Sequence, residues 1–138
     1  CVFNGKDGMF LENSIPYPVN FYGLTKLLAE KEVETLTNYL IIRTNYVARK
    51  PWPYPEAFTD RFSTYLFADQ VAKAIVEIIP EKFGGILHIT GNKKISMFEL
   101  AKITTPNVKP TTLANYSGPA LNVDMSLDTK RWKKYTLT

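Results

Sequence analysis

Helix-like and strand-like segments alternate along this chain, and that alternation constrains its fold more than any other feature. Residues 19–36 and 69–79 carry apolar side chains at helical spacing, and each is followed by a continuous apolar run, at 39–44 and 86–90. Such runs are typical of buried parallel strands, and parallel strands need long connections that are usually helical. The sequence therefore predicts an α/β fold with a parallel sheet.

Four other segments carry local signals. The prolines within residues 50–55 exclude a regular helix or a central strand there. Residues 63–67 are predicted to form a short extended piece, residues 107–118 a loop, and residues 128–135 a short basic terminal helix.

Two of the predicted helices show features beyond their periodicity. Residues 19–36 place apolar side chains on nearly opposite faces. We therefore expect this helix to be covered on both, on one face by a sheet and on the other by a second helix or subunit. Ser96 and Glu99 have the spacing of a capping box, which predicts a helix over residues 97–103.

Composition limits the classes of protein that this chain can represent. Its 138 residues, 45% hydrophobic and 22% charged, are typical of one soluble globular domain. The net charge of +4 suits a small anionic ligand and does not by itself argue for nucleic acid. No apolar run reaches the roughly 18 residues of a membrane span, and no signal-peptide pattern opens the chain. We expect a cytoplasmic location.

One cysteine, Cys1, and one histidine, His88, narrow the chemistry further. A single cysteine cannot build a disulfide framework or a cysteine metal cluster. A single histidine argues against a histidine metal site and against a Ser-His-Asp triad. No metal centre is predicted, and His88, within an apolar strand, is expected to be a hydrogen-bonded core residue.

A phenol and an ammonium lie four residues apart in the first predicted helix, at Tyr22 and Lys26. This spacing places the two side chains next to each other on one side of a helix. A nearby cation stabilises a phenolate, so the pair suits proton transfer. The alternative is a half-buried tyrosine beside a solvated lysine that pairs with Glu30, four residues further on.

Five blocks in this order resemble the extended short-chain dehydrogenase/reductase family, also called the NAD-dependent epimerase/dehydratase superfamily. Within it, the likeness is closest to the dTDP-4-dehydrorhamnose reductase branch of sugar-nucleotide reductases. The blocks include the Tyr-x-x-x-Lys helix and occupy residues 2–8, 18–26, 41–46, 67–72 and 85–91.

The resemblance, which covers residues 1–104, implies the C-terminal part of a Rossmann-like doubly wound parallel sheet with a small substrate-binding region. Residues 1–138 would form a single truncated Rossmann-like domain, with substrate-side elements around 46–67 and 91–138. The chain enters directly on a strand end at Cys1, so we expect it to be the C-terminal part of a longer protein. An alternative is a fragment that never had a clean start.

The family mechanism, carried over, is hydride transfer from the reduced form of the cofactor, NADP or NAD, to the C4 ketone of a nucleotide-linked 4-keto-6-deoxy sugar. The resemblance implies that Tyr22 donates the proton and that Lys26 holds the nicotinamide ribose. Both residues would therefore be catalytic and cofactor-binding. Thr44 and Asn45, at the end of the strand that borders the nicotinamide, would also contact the cofactor.

The resemblance implies that five residues contact the nucleotide-sugar substrate, four of them in or directly beside the resembling blocks and one in the proline-rich loop that follows. For the proline-rich loop, two alternatives stay open: Trp52 or Tyr54 stacks on a base or sugar, or the loop is rigid and its aromatic side chains pack inward. A short polyproline ligand for another protein is a third. The expected substrate-binding residues are Cys1, Phe3, Asn20, Tyr46 and Trp52.

Other functions and partners fit the same architecture. An epimerase or dehydratase of the family is one alternative, and a non-catalytic relative, like the regulatory subunit of methionine adenosyltransferase, is another. We expect a nucleotide-sugar substrate, no nucleic acid, no membrane, and a homodimer through the Tyr22/Lys26 helix. None of the seven glycines makes the G-x-G-x-x-G or G-x-x-G-x-x-G spacing that cradles a pyrophosphate. The chain alone is therefore expected to bind NAD(P) weakly and to be inactive.

The remaining charged features have modest expectations. Arg43 ends a buried strand, and the sequence leaves open whether it meets a phosphate or a carboxylate. Asp69 is expected to be a helix N-terminal acid that the macrodipole stabilises. The basic run at residues 130–134 is expected to be a solvated terminal helix rather than a nucleic-acid site.

Overall fold

A computed structural model describes residues 2–138 and contains three α-helices and eight short strands. Cys1 lies outside the described residues. The helices are α1 (Phe21–Val33), α2 (Ala68–Ile78) and α3 (Met97–Thr104). The strands are β1 (Leu40–Thr44), β2 (Tyr46–Val47), β3 (Glu56–Phe58), β4 (Phe62–Ser63), β5 (Leu66–Phe67), β6 (Gly85–Ile89), β7 (Ile95–Ser96) and β8 (Lys109–Thr111).

Strand pairing is mostly parallel, as the alternation of elements predicts. β1 and β6 pair in parallel over five residues, from Leu40 opposite Gly85 to Thr44 opposite Ile89. β2 pairs in parallel with β5 and β3 with β8, whereas β4 and β7 are antiparallel. The prediction of an α/β fold with parallel strands is confirmed.

The main core lies between α2 and the β1–β6 pair. Three side chains of α2 and two of β6 are almost completely buried there, because the apolar stripe of α2 faces the apolar run of β6. Phe83, Trp132 and Tyr135 pack against its edge. The buried members are Leu66, Val71, Ala74, Ile78, Leu87 and Ile89.

A second apolar cluster joins the two ends of the described chain. Val2, Phe3 and Phe10 pack with Leu127, and Phe10 and Leu127 also form a backbone bridge. The rings of Phe3 and Phe10 are stacked, with centroids 4.4 Å apart. This cluster brings the N-terminal segment against the middle of α1, where Leu27 touches it.

Within the described chain, the first helix is not covered on both faces, so cover of its second face by another subunit stays a prediction. Asn20 caps α1 by accepting a hydrogen bond from the Gly23 amide, at 2.8 Å. Gly23 is the only buried residue of α1 in the structure, and Phe21 is 80% exposed. Between residues 2 and 138, no element covers the outer apolar side chains of this helix, including Leu24 and Leu28.

The terminal segment is not the helix that its sequence predicts. The Tyr135 amide donates to the Thr90 carbonyl at 3.0 Å, and the Asn92 amide donates to the Tyr135 carbonyl at 2.8 Å. These bonds extend the parallel pairing beyond β6, and Trp132 packs against the main core. Tertiary pairing of the backbone therefore overrides the local helical pattern.

The region 107–118, predicted as a loop, contains more regular structure than expected. Lys109–Thr111 forms β8, and Leu113–Asn115 forms one turn of 3₁₀ helix. The Thr59 amide donates to the Thr111 carbonyl at 2.9 Å, so this segment gains its strand character from β3 and the residues after it. Local turn residues alone could not reveal a partner about fifty positions away.

The capping box before α3 is confirmed. Ser96 Oγ accepts from the Glu99 amide at 3.1 Å, and Glu99 Oε2 accepts from the Ser96 amide at 2.7 Å. The hydrogen bond from the Ser96 backbone, with a second from its hydroxyl, holds the pKa of Glu99 below its usual value. The carboxylate form of Glu99 therefore stabilises the start of α3.

Replacing Glu99 by glutamine is expected to reduce the loss of stability in acid. A carboxyl whose pKa is lowered by folding contributes stability at pH values above its unfolded pKa, which is about 4.3 for glutamate. That contribution is lost as the pH falls through the lower pKa of the folded state. Urea unfolding at neutral and acidic pH should show a smaller difference for Glu99→Gln than for the unchanged chain. Glu81→Gln, at an exposed glutamate, is the matched control. An unchanged acid dependence in Glu99→Gln would contradict the prediction.

Candidate active site

A cleft of about 310 Å³ lies between α1 and the carboxyl end of β1. Parallel α/β sheets bind ligands at this end of their strands, because the loops that follow diverge there. The N-terminal segment and the segment after β1 close its sides. The lining residues are Val2, Phe3, Tyr22, Lys26, Glu30, Ile42, Arg43, Thr44, Asn45, Tyr46 and Leu127.

Tyr22 and Lys26 lie side by side on the wall that α1 forms. The Nζ atom of Lys26 is 5.2 Å from the centroid of the Tyr22 ring, within the range of a cation–π contact. Tyr22 is 58% exposed, so its hydroxyl is accessible from the cleft. The helical spacing of the two residues therefore produces the phenol–ammonium neighbourhood that the sequence predicts.

Arg43 and Glu30 form a two-pronged ion pair beneath them. Arg43 Nε donates to Glu30 Oε1 at 2.9 Å, and Arg43 Nη2 donates to Glu30 Oε2 at 2.7 Å. Their side chains are only 7% and 11% exposed. Of the two partners left open for Arg43, the structure shows a carboxylate. Glu30 does not pair with Lys26, which makes no ion pair with any residue from 2 to 138.

The end of β1 provides one free hydroxyl and one fixed amide. Thr44 Oγ1 is buried and has no hydrogen-bond partner among the described residues. Asn45 is held in place because its Nδ2 donates to the Met125 carbonyl at 2.8 Å. A buried hydroxyl without a partner is costly, so Thr44 is suited to bond with a ligand in the cleft.

The structure brings only some of the predicted substrate-binding residues into this cleft. Phe3 and Tyr46 line it, and Cys1 lies outside the described residues. Asn20 is not in the lining, because its side-chain oxygen is used to cap α1 and its Nδ2 is 3.4 Å from the Ala120 carbonyl. Asn20 is therefore occupied in holding the start of the helix.

Trp52 also lies away from this cleft. Its indole nitrogen donates to the Glu56 carbonyl at 3.0 Å, and its ring packs against a small core that includes Ala57. Tyr54 meets the Trp52 ring edge-to-face, with centroids 5.9 Å apart. Of the alternatives for the proline-rich loop, these contacts favour inward packing.

His88 is a buried core residue, as expected. Its Nδ1 lies 2.9 Å from the Asp128 carbonyl oxygen, which can only accept, so Nδ1 carries the hydrogen. Burial lowers the pKa of His88 and favours the neutral ring. His88 does not line the cleft.

Several charges outside the cleft are paired within the chain. Asp69, in the first turn of α2, bonds Arg49 at 3.0 Å, and this bond lowers the pKa of Asp69. In the basic run, Lys133 pairs with Glu77 at 2.7 Å. Lys134 pairs with Asp128, and Arg131 donates to backbone carbonyls. Three of the four cations in residues 130–134 are thus bonded within the chain.

Two classes of feature are not found among residues 2–138. No group of three or more histidine, cysteine, aspartate or glutamate side chains could hold a metal ion there. No helix in that range is long and apolar enough to cross a membrane.

The ion pair of Glu30 and Arg43 is the part of the cleft that sequence reasoning missed. From the sequence, Glu30 is considered only as a partner for Lys26. Arg43 is considered as a strand end that meets a phosphate or a carboxylate, without a named partner. The missing signal is the contact of α1 with β1, which joins residues 13 positions apart. Helical spacing alone could not predict which cation Glu30 would choose.

The described fold is similar to several solved structures. No protein-family model matches the chain, and no curated protein matches it. A hypothetical dTDP-4-dehydrorhamnose reductase from Sulfolobus tokodaii is 32% identical, with a TM-score of 0.76 over 94% of this chain and 53% of that one. The dTDP-4-dehydrorhamnose reductase from Yersinia enterocolitica is 22% identical, with a TM-score of 0.78 over 99% and 59%.

A third similar structure includes a bound cofactor. The dTDP-4-dehydrorhamnose reductase from Bacillus anthracis, in complex with NADP, is 22% identical, with a TM-score of 0.77 over 92% of this chain and 53% of that one. This chain therefore spans between one half and three fifths of the length of the structures it matches. That coverage is consistent with the C-terminal part of such a protein. The expected resemblance is confirmed: the chain has the Rossmann-like fold of the dTDP-4-dehydrorhamnose reductases over about half of their length.

Proposed function

We propose that this chain forms the catalytic side of an NAD(P)-dependent reductase that acts on a nucleotide-linked 4-keto-6-deoxy sugar. The observation that carries the proposal is the cleft in which the Tyr22 phenol lies beside the Lys26 ammonium at the carboxyl end of β1. Similarity to dTDP-4-dehydrorhamnose reductases supports the class of reaction. The specific sugar and nucleotide rest on that similarity alone.

In this proposal, the cleft holds the nicotinamide ribose end of the cofactor and not its pyrophosphate end. Lys26 offers three donors without a competing carboxylate, and Thr44 offers a buried hydroxyl without a partner. The seven glycines do not form the spacing of a pyrophosphate loop. When bound, the cofactor supplies the hydride. NADP and NAD both remain candidates, since the residues that distinguish them follow that loop.

Tyr22 and Lys26 divide the proton chemistry between them in this proposal. The Tyr22 hydroxyl donates its proton to the substrate oxygen as the ketone becomes an alkoxide. The Lys26 ammonium stabilises the phenolate that remains and holds the ribose hydroxyls. Because the amide of Asn45 is held by the Met125 carbonyl, its oxygen is free to accept a bond from the cofactor.

Aromatic side chains would bound the sugar. Tyr46 is 60% exposed at the mouth of the cleft, and Phe3 is buried within it. A 6-deoxy sugar carries a methyl group in place of a hydroxyl, and an aromatic wall favours that apolar group. An epimerase or dehydratase of the same family would use the same walls and the same Tyr22.

A second candidate is a non-catalytic relative that acts by binding a partner protein. The observation that favours it is the exposed apolar side of α1, which includes Phe21 and Leu28. A homodimer through this helix is one form that such binding could take. Binding of a partner that survives Tyr22→Phe, without any turnover, would favour this candidate.

Titration calorimetry of NADPH, and then NADH, into this chain is expected to show no binding of micromolar strength. The chain offers donors to the ribose end, but the pyrophosphate has no glycine-rich loop to neutralise it. Circular dichroism and urea unfolding on the same sample establish that the chain is folded. Clear micromolar binding would contradict the prediction and would mean that the cofactor site is complete in these residues.

Turnover is the direct test of the proposed reaction. A hybrid in which this chain replaces the matched part of the Sulfolobus tokodaii protein would restore the remaining half of the fold. Oxidation of NADPH that requires a dTDP-linked 4-keto-6-deoxy sugar is the expected result. A folded hybrid that binds NADPH but does not oxidise it with this substrate would overturn the proposed reaction.

A further inference from the structure

Glu30 lies on α1 close to Lys26 but binds a different cation. The two residues are four positions apart, so their side chains lie on the same side of the helix and could form an ion pair. In the structure, Lys26 instead lies against the Tyr22 ring, and Glu30 turns to Arg43. All four residues line the same cleft.

Arg43 holds Glu30 by a geometry that a single cation on a flexible chain would not match. Two parallel bonds, of 2.9 and 2.7 Å, connect the guanidinium to both carboxylate oxygens. The guanidinium carbon also lies 5.0 Å from the centroid of the Phe3 ring, which fixes the plane of the fork. The pair is nearly buried, so water screens it little.

Apart from Arg43, no cation of the described chain is placed to bind Glu30 as directly as Lys26. Lys31, the next residue on the helix, pairs with Glu34 at 2.7 Å. If Arg43 lost its charge, Lys26 would be the cation one helical turn away on the same side. A carboxylate on Lys26 would occupy the ammonium that the proposed mechanism needs.

We infer that Arg43 is a positioning residue, which holds Glu30 away from Lys26 and so keeps the Lys26 ammonium available beside Tyr22. The inference rests on the proposed function for its consequence in catalysis. Its structural content concerns only which cation Glu30 binds, so it can be tested without turnover.

Competitive acetylation of the folded chain, followed by mass spectrometry of the peptides, measures the availability of Lys26. Lys109, which makes no ion pair with the described residues, serves as the internal reference. In Arg43→Leu, the acetylation rate of Lys26 relative to that of Lys109 is expected to fall about twofold, which is the effect of a helical i,i+4 ion pair. Adding Glu30→Gln to that variant should restore the rate, and Arg43→Lys should preserve most of it.

Glu30→Gln alone keeps the inference falsifiable if Arg43→Leu does not fold. Because Glu30 is held by Arg43, its neutralisation is expected to leave the Lys26 rate unchanged. A faster rate in Glu30→Gln would show that Glu30 already acts on Lys26, and would overturn the inference. So would an unchanged rate in folded Arg43→Leu.

Turnover measurements on the hybrid distinguish this inference from the proposed function. In the hybrid, Arg43→Leu should lower kcat, and the added Glu30→Gln should recover it. If the acetylation rates of Lys26 agree with the inference but the hybrid shows no turnover, the positioning role stands and the proposed reaction is rejected. Turnover that is lost in Arg43→Leu and not recovered by Glu30→Gln would leave the reaction intact and overturn the positioning role.

Discussion

Tyr22→Phe is expected to lower turnover of the hybrid reductase by about a hundredfold or more, the usual contribution of a positioned general acid. The change removes only the hydroxyl, and the ring that faces Lys26 at 5.2 Å stays in place. Cofactor binding should therefore be nearly unchanged, since Lys26 and Thr44 still offer their donors. Initial rates of NADPH oxidation and titration of NADPH measure the two quantities separately.

Tyr54→Phe is the matched control for this prediction. Tyr54 is exposed and packs its ring against Trp52, outside the cleft that contains Tyr22. Loss of its hydroxyl should leave turnover unchanged. If Tyr22→Phe retained turnover, Tyr22 would not be the proton donor; if Tyr54→Phe lost as much, the effect would not be specific to the cleft.

Leu87→Ala is expected to lower the free energy of unfolding by about 2–5 kcal/mol. Leu87 is completely buried at the centre of β6, opposite Ile42 of β1, and it packs in the core beneath α2. Truncation removes apolar contacts and leaves a cavity that the two paired strands cannot easily collapse. Urea denaturation at neutral pH, followed by circular dichroism, measures the change.

Val76→Ala provides the comparison for a side chain outside the core. Val76 belongs to α2 but is 68% exposed, so the same kind of truncation should change stability by less than about 0.5 kcal/mol. A loss below about 1 kcal/mol for Leu87→Ala would fall outside the range for buried leucines and would contradict the packing of β6 against α2.

The elements that the sequence predicts well are those whose signals are local. The apolar run at 39–44 and the stripe of α2 coincide with their elements to within one or two residues, because periodicity over neighbouring positions carries them. The capping box of Ser96 is equally local. The terminal segment is mispredicted because the Tyr135 backbone pairs with Thr90, and no nearby residue carries that information.

The features of the candidate site also fall into those with a local sequence signal and those without one. The spacing of Tyr22 and Lys26 is a property of one helix, so the sequence could place the two side chains together. The choice of Arg43 by Glu30 depends on how α1 docks on β1, and the inward packing of Trp52 depends on α3 and β3. What the sequence missed, in the cleft and in the proline-rich loop, depends on contacts between elements.

The stacked cluster of Phe3, Phe10 and Leu127 has a kinetic consequence for the cleft. The Met9 amide, beside this cluster, bonds Ser126 across 117 positions of sequence, so closing this contact costs the entropy of a very long loop. Contacts of this kind slow folding, because the loop must close before the contact rewards it. Phe3 and Leu127 both line the cleft, whereas α1 and the β1–β6 pair need much shorter loops. The floor of the candidate active site is therefore expected to be among the last parts of the chain to assemble.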